Sequence, residues 1–448
     1  MKVITYGTYD LFHEGHRRLL QRAKDLGDHL IVAVTTEGFD DARGKLNVRQ
    51  SLMERIKAVQ DSGLADEVII EEYEGQKIHD IQKYGVDIFA IGSDWMGKFD
   101  YLNDYCKVVY LERTRGVSST ELRNADAGIL RIGVVGTGRI AHRFVEEARF
   151  VSGIEPVNVY SRNPVSRAEF AAKHELDNSA DSYEELLADV DAVYVATPHP
   201  THVDLVRQAL EEGKHVLCEK PMTLTGSEAR ELFALAEERS LVLLEAIKTA
   251  FSPGFQRMVA VARSGSIGDI RSVDATFTKL VDPSLREFDP EQGGGSISEL
   301  ASYPLLAVLK LIGIDQSDVR TQAWISEQGV DEFARIDLKY PTAIASARTG
   351  IGVKAEGDLV VAGTRGQLYV PSPWWKTEYF ETRFENPTDN KRFYFKFDGD
   401  GLRYEIAEFS SMIRTGGLDT FRLRRDESIW LADVIEQART GFERINPA

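Results

Sequence analysis

Two histidines three residues apart, His13 and His16, lie in a glycine-containing segment near the start of the 448-residue chain. Apolar residues 3–6 precede the segment and an amphipathic stretch follows it, which predicts a loop between a strand and a helix. Free N–H groups at a helix N-terminus attract phosphate, so the segment indicates phosphate chemistry. Two alternatives stay open. One is a solvated loop with a capping histidine, and the other is a zinc site, for which the nearby sequence offers no complete ligand set.

A second chemical pattern is the run Gly-Thr-Gly-Arg-Ile-Ala at residues 136–141, which follows a strand predicted for residues 132–135. A Gly-x-Gly-x-x-Ala sequence between a strand and a helix is the fingerprint of a dinucleotide-binding turn. Its glycines allow the backbone to approach a pyrophosphate, and Ala141 allows close packing of helix on sheet. We predict that the cofactor contacts five residues of the turn. They are Gly136, Thr137, Gly138, Arg139 and Ile140.

The end of the next predicted strand indicates which dinucleotide binds. An acidic residue there would accept a hydrogen bond from the ribose 2′-hydroxyl of NAD. This chain has Ser161 and Arg162 instead, and a hydroxyl with a guanidinium suits a 2′-phosphate. We therefore predict NADP(H) in preference to NAD(H). If Arg162 only covers the adenine, NAD would still bind.

Later strand ends carry residues that could reach the same cofactor. Ala-Thr-Pro at 196–198 and Cys-Glu-Lys-Pro at 218–221 each follow a predicted strand, which places both at the edge where parallel sheets bind ligands. A lysine just before a proline turn is usually a surface charge, but this one would lie beside the nicotinamide. The predicted cofactor contacts from this region are Thr197, Pro198, His202, Glu219 and Lys220.

The elements that must position these residues predict an α/β chain. Apolar strands alternate with helices through residues 1–126, closing on a polar helix over 116–126, and again through 129–250. This alternation predicts two doubly wound parallel-sheet (Rossmann-like) domains. Residues 251–448 predict an α+β domain for substrate binding and oligomerisation, with an open, mainly antiparallel sheet. Its predicted strands are Arg271–Leu280, Gln322–Ser326, Ala334–Tyr340, Ala343–Arg348, Leu359–Ala362 and Gln367–Val370.

Composition narrows the class of protein. A formal net charge of −17 disfavours nucleic acid and anionic membranes as partners. The two cysteines, Cys106 and Cys218, are far apart in the sequence, which does not indicate a disulfide framework. The N-terminus lacks the apolar region of a signal peptide, and no run of about 18 apolar residues occurs. We predict a cytoplasmic protein with neither nucleic-acid nor membrane partners.

Two later segments follow predicted strands and would reach the edge that holds the histidines. They are Gly92-Ser93-Asp94-Trp95-Met96-Gly97-Lys98 and Arg113-Thr114-Arg115-Gly116-Val117-Ser118-Ser119-Thr120. Together with the histidine segment, their order and spacing resemble the glycerol-3-phosphate cytidylyltransferase family of HxGH nucleotidyltransferases. The resemblance covers the whole first domain. It implies that the phosphate of an acceptor attacks the α-phosphorus of CTP and displaces pyrophosphate, with catalysis by positioning and charge neutralisation.

This resemblance implies roles for individual residues of the first domain. The implied catalytic residues are His13, His16, Lys45 and Arg113. The implied CTP contacts are Gly7, Thr8, Tyr9, Asp94, Trp95, Arg113, Ser118, Ser119 and Thr120. Arg55 would bind the acceptor phosphate, and Mg²⁺ would accompany the triphosphate without protein metal ligands. For Lys45, an ordinary mobile surface lysine is the alternative.

The rest of the chain resembles the Gfo/Idh/MocA oxidoreductases. The motifs that match in order are the glycine turn, Ala196-Thr197-Pro198, Glu219-Lys220-Pro221, Glu245-Ala246, Gly293-Gly294-Gly295, Glu299 and Tyr303-Pro304. The resemblance implies that Lys220 and Tyr303 are the proton donor pair and orienters for hydride transfer to a carbonyl. Where the family commonly has Asp and then Gly, this chain has Glu299 and Ala301. Glu299 should still reach the pocket as a catalytic residue, with a changed substrate geometry.

Other charged residues near this pocket have two interpretations each. Lys248 and Lys279 could bind a substrate phosphate or be ordinary surface lysines. His199 and His202 lie near the predicted cofactor edge, where hydrogen bonding or capping is as consistent with the sequence as catalysis.

The two activities together predict a bifunctional enzyme of CDP-alditol biosynthesis for cell-surface polymers. A nicotinamide cofactor would reduce a ketose or aldose phosphate, or its CDP derivative, and CTP would activate the polyol phosphate. The alternatives are a glycerol-3-phosphate cytidylyltransferase with a reductase domain of unrelated or regulatory role, adenylyl transfer, a non-catalytic binding domain, and a nucleotide sensor without turnover. Both families commonly form dimers or larger assemblies, so a homo-oligomer is expected.

Overall fold

The computed structural model describes residues 1–10, 12, 14–36, 50–72, 75–111 and 129–445. These form two compact units. The first comprises Met1–Ile129 with Phe150–Gly153, and the second Leu130–Arg149 with Ile154–Ala448. Several predictions lie outside the described residues, namely those for His13, Lys45, Arg113, Ser118, Ser119, Thr120, the side chain of Asp94 and the helix over 116–126.

The first unit contains a sheet of five parallel strands in the order β3-β2-β1-β4-β5. Alternate residues of β1 enter different apolar clusters, Val3 with Leu20 on one face and Ile4 with Ile81 on the other, as the two-residue period of a strand requires. Its described elements are β1 (Lys2–Gly7), α1 (Glu14–Lys24), β2 (His29–Thr35), α2 (Leu52–Asp61), β3 (Glu67–Glu71), α3 (Gln76–Tyr84), β4 (Ile88–Gly92) and β5 (Lys107–Leu111).

The second unit begins with six parallel strands in the order β11-β10-β9-β6-β7-β8. The central strands are almost wholly apolar, as expected for strands with helices on both faces. The strands are β6 (Leu130–Val135), β7 (Ile154–Tyr160), β8 (Asn178–Ser179), β9 (Ala192–Val195), β10 (His215–Glu219) and β11 (Leu243–Ala246). The helices are α4 (Arg139–Ala148), α5 (Pro164–His174), α6 (Tyr183–Asp189), α7 (His202–Glu211) and α8 (Gly226–Glu238).

The chain then forms a nine-stranded sheet in the order β19-β18-β17-β16-β12-β15-β14-β13-β20. Only β12 with β15 and β13 with β20 pair in parallel. The strands are β12 (Ile270–Thr278), β13 (Asp318–Ile325), β14 (Asp331–Lys339), β15 (Ile344–Gly350), β16 (Leu359–Gly363), β17 (Gln367–Val370), β18 (Tyr379–Arg383), β19 (Lys391–Tyr394) and β20 (Phe442–Ile445). The helices are α9 (Lys248–Phe251), α10 (Pro253–Arg263), α11 (Ser296–Leu300), α12 (Ser302–Ile312), α13 (Leu402–Thr415) and α14 (Arg425–Thr440). The predicted fold class, two parallel sheets and an open, mainly antiparallel one, is confirmed.

A buried ion pair ties helix α4 to helix α13 within the second unit. Arg403 donates from Nε to Glu147 Oε2 at 2.9 Å and from Nη2 to Oε1 at 2.8 Å. Removing either partner would leave a buried charge uncompensated, so the pair fixes where α13 lies against the parallel sheet.

The helical stretch Pro290–Ile312 is unusually apolar. Among the described ranges, Pro290–Ile312 is the single helical segment long and apolar enough to cross a membrane, and 89% of its apolar window is buried within the protein. Leu305, Leu306 and Val308 of α12 have no exposed surface. Such burial is typical of a core helix.

Candidate active sites

The histidine segment begins where β1 ends. Tyr9 has a φ of 55° and its ring is buried, so the backbone turns sharply after the strand. A Cβ atom at Gly7 would lie 2.9 Å from Cζ of Tyr9, which explains the glycine. The Tyr9 ring meets the ring of His16 edge to face, with 5.4 Å between centroids. The predicted CTP contacts Gly7 and Tyr9 therefore support His16, which lies on the first turn of α1.

Arg55 has no exposed surface, and its guanidinium donates hydrogen bonds to backbone carbonyls. Its Nη1 donates to the carbonyls of Thr8 and Thr35, each at 2.8 Å, and its Nε donates to the carbonyl of Gln50 at 3.0 Å. These bonds hold the ends of β1 and β2 beside the start of α2. The predicted contact of Arg55 with an acceptor phosphate stays a prediction.

A buried polar cluster near the same strand ends was not predicted. Lys77 forms an ion pair with Glu71, and its Nζ lies 4.5 Å from the centroid of the Tyr6 ring. The Tyr6 hydroxyl donates to Asp80 Oδ2 at 2.9 Å. Burial and the neighbouring Asp80 raise the pKa of Tyr6, which keeps its hydroxyl protonated. The three-residue spacing of Lys77 and Asp80 on α3 was the available signal.

The glycine turn of the second unit fits a dinucleotide. Gly136 has a φ of 110°, and a Cβ atom there would lie 2.5 Å from the carbonyl oxygen of Ala196. Gly138 caps the N-terminus of α4, and a Cβ atom there would meet nothing within 4 Å. The backbone is thus close-packed behind the turn and open in front of it, at a helix N-terminus that favours phosphate. Residues 136–140 would hold the pyrophosphate of a nicotinamide dinucleotide.

Beside this turn, Ser161 and Arg162 follow the end of β7. Arg162 is exposed, and its side chain makes no hydrogen bond or ion pair with any residue the structure describes. Thr137 bonds to Ser166 through the two hydroxyls at 3.1 Å. The guanidinium of Arg162 is therefore available for a ligand.

His202 connects two loops of the cofactor edge. Its Nε2 lies 2.8 Å from the carbonyl oxygen of Thr197, and its Nδ1 lies 3.0 Å from that of Pro221. The ring is wholly buried, and burial lowers its pKa. A neutral imidazole can donate to only one of the two oxygens. The geometry favours hydrogen bonding over catalysis for this histidine.

Lys220 and Tyr303 come together as the sequence predicts. The Lys220 Nζ donates to the carbonyl oxygen of Glu299 at 2.9 Å and lies 5.8 Å from the centroid of the Tyr303 ring. Burial raises the pKa of Tyr303 well above its usual value, so the phenol stays protonated. The pair offers an ammonium group and a phenol at the carboxyl edge of the parallel sheet.

The triple glycine allows α11 and α12 to approach this pair. Gly295 has a φ of 115°, and a Cβ atom there would overlap the carboxylate of Asp331. Asp331 accepts hydrogen bonds from the Ser296 hydroxyl at 2.6 Å and the Ile297 amide at 2.8 Å, which fixes the first turn of α11. The turn thereby places Glu299 near Lys220.

The Glu299 carboxylate is buried. Arg286 donates to both its oxygens, at 2.8 and 3.4 Å. His199 Nδ1 lies 3.8 Å from Oε1, and burial lowers the pKa of His199 well below its usual value, so the ring is neutral near pH 7. Arg286 thus holds the longer acid at this position, and its place in a substrate pocket stays a prediction.

Two features of this pocket were not predicted. Trp375 stacks on Phe277 with 3.8 Å between centroids, and Phe277 meets the Tyr303 ring edge to face at 5.0 Å. Behind the lysine, the buried Tyr194 donates to Oε1 of the partly buried Glu219 at 2.5 Å. Burial raises the pKa of Glu219, against the lowering effect of Lys220. Aromatic residues far apart in sequence gave no signal for the stack.

Comparison with protein families matches all three regions of the chain. Residues 4–125 match a family described as cytidylyltransferase-like. Residues 130–246 match the oxidoreductase family with an NAD-binding Rossmann fold, Gfo/Idh/MocA. Residues 255–369 match the Gfo/Idh/MocA C-terminal domain.

Individual relatives align with the second unit over nearly their whole length. Trans-1,2-dihydrobenzene-1,2-diol dehydrogenase from Bos taurus is 32% identical over 325 residues, which cover 70% of this chain and 97% of the relative. The Homo sapiens protein of the same name is 32% identical over 326 residues, with the same coverage.

Solved structures agree with the fold. KijD10, a 3-ketoreductase from Actinomadura kijaniata in complex with NADP and TDP-benzene, superposes with a TM-score of 0.65 at 25% identity, covering 70% of this chain and 98% of its own. UDP-N-acetylglucosamine 3-dehydrogenase GnnA from Acidithiobacillus ferrooxidans shares the fold with a TM-score of 0.60 at 22% identity, covering 70% of this chain and 97% of its own. The chain therefore belongs to the Gfo/Idh/MocA family of oxidoreductases, with a cytidylyltransferase-like domain fused ahead of its Rossmann domain.

Proposed function

We propose that this oxidoreductase is a bifunctional enzyme of CDP-alditol synthesis. Its second unit reduces a ketose or aldose phosphate, or the CDP derivative, with NAD(P)H. Its first unit transfers CMP from CTP to the polyol phosphate. The observation that carries the reductase half is the Lys220 ammonium beside the Tyr303 ring, at the edge of a sheet whose glycine turn fits a dinucleotide. The transferase half is supported by the cytidylyltransferase-like match and by the packing of Tyr9 against the ring of His16.

In the reductase half, a nicotinamide held by the glycine turn would supply a hydride for the carbonyl carbon. The carbonyl oxygen then needs a proton, and Lys220 is the donor in this proposal. One N–H of its ammonium bonds to the carbonyl of Glu299, which leaves others to face the substrate. Tyr303, protonated because burial raises its pKa, hydrogen-bonds to the same oxygen and orients it. Arg286 positions Glu299 and so keeps the lysine in place.

In the transferase half, an oxygen of the acceptor phosphate attacks the α-phosphorus of CTP, and the bond to pyrophosphate breaks. His16 hydrogen-bonds to oxygens of the reacting phosphate, and Tyr9 keeps its ring in place. Mg²⁺ enters with the triphosphate as part of the substrate. His13, Lys45 and Arg113 complete the proposed catalytic set, with Ser118, Ser119 and Thr120 on the β- and γ-phosphates.

NADP(H) is the proposed dinucleotide because Arg162 is exposed beside the end of β7, where a 2′-phosphate would lie. The solved complex of KijD10 contains NADP, in keeping with this choice. An Arg162→Ala variant should lose about tenfold in kcat/KM with NADPH and little with NADH. Equal losses with both cofactors would contradict the preference.

The proposal is tested by incubating the protein with CTP, Mg²⁺, NADPH and a panel of ketose phosphates, followed by mass spectrometry. We expect a CDP conjugate two hydrogens heavier than the CDP-ketose, with matched release of pyrophosphate. Trans-1,2-dihydrobenzene-1,2-diol with NADP⁺ is the comparison substrate, since the curated relatives carry its name. Turnover of that diol alone, or of ATP in place of CTP, would overturn the assignment.

A further inference from the structure

Three cations from different segments meet at Asp400. Arg143 Nε lies 3.2 Å from Asp400 Oδ2, and Lys376 Nζ lies 3.6 Å from Oδ1. Lys248 Nζ donates to the backbone carbonyl oxygen of Asp400 at 2.7 Å. The side chains of Arg143, Lys376 and Asp400 are 41, 35 and 31% exposed, so the cluster is open to a ligand.

The cluster lies at the catalytic edge of the second unit. Strands β10 and β11 pair in parallel with Glu219 opposite Ala246, so Lys220 and Lys248 follow neighbouring strand ends. Lys376 directly follows Trp375, whose ring belongs to the stack that reaches Tyr303. The cations therefore lie beside the residues that would hold the reacting carbonyl.

Arg143 lies one turn into α4, the helix that begins at the glycine turn. It thus extends the cluster toward the side where the dinucleotide would bind. An anion held here would have the cofactor on one side and the Tyr303 stack on the other.

The three cations have few anionic partners at short range. Arg143 and Lys376 share the carboxylate of Asp400, and Lys248 bonds to the backbone carbonyl of the same residue. Glu405 and Glu219 also lie near Lys248, and burial raises the pKa of each carboxyl group. Burial likewise lowers the pKa of Lys248. Two partly exposed cations that share one carboxylate, with a third donor beside them, could all donate to an anion.

We propose that Arg143, Lys248 and Lys376 form the binding site for a phosphate group of the oxidoreductase substrate. A bound phosphate would replace the Asp400 carboxylate as partner of Arg143 and Lys376 and would accept a hydrogen bond from Lys248. The inference rests on the proposed reduction of a phosphorylated carbonyl compound and extends it by assigning residues to the phosphate. With the phosphate held there, the carbonyl is directed to Lys220 and Tyr303.

The first test measures phosphate binding without turnover. Inorganic phosphate is titrated by calorimetry into the full chain with NADP⁺ present to fill the predicted cofactor site. Lys248→Gln and Lys376→Gln should each weaken phosphate binding about tenfold, because each removes a charged donor. Lys391→Gln, an exposed lysine on β19, is the matched control and should change nothing.

Asp400→Asn separates a binding site from structural damage. Removing the carboxylate that competes for Arg143 and Lys376 should strengthen phosphate binding several-fold, whereas a damaged fold would weaken it. Unchanged phosphate affinity in folded Lys248→Gln and Lys376→Gln, or an Asp400→Asn variant that binds no more tightly, would overturn the inference.

The second test compares dihydroxyacetone phosphate with dihydroxyacetone, and ribulose 5-phosphate with ribulose. Lys376→Gln should raise KM about tenfold for the phosphorylated member of a pair and leave kcat/KM of the other unchanged.

The CDP-ketose is a third substrate in this test. A rise in KM for the CDP-ketose alone would place a diphosphate at the cluster instead of a phosphate monoester. Equal effects on each pair contradict the phosphate site but not the reductase. Reduction of no carbonyl compound contradicts the proposed function, while the calorimetry still tests the site.

Discussion

Cations at the carboxyl edges of the two parallel sheets have different partners. In the first unit, Arg55 is buried and donates to three backbone carbonyls, and Lys77 pairs with Glu71. In the second unit, Lys220 makes one bond to a carbonyl, and Arg143 shares a single carboxylate with Lys376. Arg55 and Lys77 thus hold strand ends together, whereas Lys220, Arg143 and Lys376 keep donors that a ligand could use. Substitutions of these cations should therefore differ in whether stability or activity changes.

The largest expected effect separates the two activities. Lys220→Ala should lower NADPH-dependent reduction about 10²–10⁴-fold and leave pyrophosphate release from CTP unchanged, because it removes the proton donor. His16→Ala should do the reverse. Both reactions are followed on each variant, by NADPH absorbance and by a coupled pyrophosphate assay. Loss of both activities in either variant would contradict two independent sites.

A stability effect is expected at the first edge. Arg55→Met should destabilise the first unit by about 2–5 kcal/mol, because buried carbonyls of Thr8 and Thr35 lose their donor. Hydrogen exchange read by mass spectrometry reports each unit separately. Lys57→Met, an exposed lysine on the same helix, is the control. A stable Arg55→Met variant with weakened acceptor binding would favour the ligand role over the structural one.

At the second edge, two glycines two residues apart should respond differently. Gly136→Ala should destabilise the second unit by about 2–3 kcal/mol, because its φ is positive and a Cβ atom meets the Ala196 backbone. Gly138→Ala should fold normally and bind NADPH more weakly, because its Cβ atom would enter the space proposed for the pyrophosphate. Urea unfolding and NADPH titration measure the two effects. Full NADPH affinity in Gly138→Ala would contradict the proposed cradle.

The smallest expected effect is a pH dependence of stability at Glu245, near Lys220. Burial raises the pKa of Glu245 from 4.5 to about 7, so the native state favours the protonated acid. Its contribution to stability is complete below pH 4.5 and is lost as the pH rises through about 7. Glu245→Gln, which stays neutral and can still accept from the Met222 amide, should be more stable than the parent chain by about 1–2 kcal/mol at pH 8. Urea unfolding at pH 8 and pH 4.5 checks this, and an advantage that persists at pH 4.5 would contradict it.

Most of the fold could be predicted from periodicity. The two parallel sheets follow from apolar strands alternating with helices, and predicted strands such as Gln367–Val370 agree with the structure. Strand β20 was not predicted, because it has only four residues, two of them charged, and it pairs with β13 more than 100 residues earlier. Its parallel pairing depends on where α14 ends relative to β13, which no local pattern encodes.

The site residues likewise divide into those that local motifs predicted and those that depend on long-range contacts. Motifs of fixed spacing, the glycine turn and Glu-Lys-Pro, predicted Lys220 and the dinucleotide edge, and the backbone at Gly136 does require a glycine. Sequence left Lys248 undecided between surface lysine and phosphate ligand. Its contact with Asp400, 152 residues away, is visible only in three dimensions.

The amino-acid sequence by itself determined the order of domains, the parallel sheets and the turns proposed to bind ligands, because these depend on residue period and on backbone conformations that only glycine adopts readily. The tertiary structure decided which cations are bonded to buried carbonyls of the protein and which have partly exposed donors. That distinction depends on distances between segments far apart in the chain: the carbonyls around Arg55, the ring of Tyr303 beside Lys220, and the single carboxylate of Asp400 among three cations.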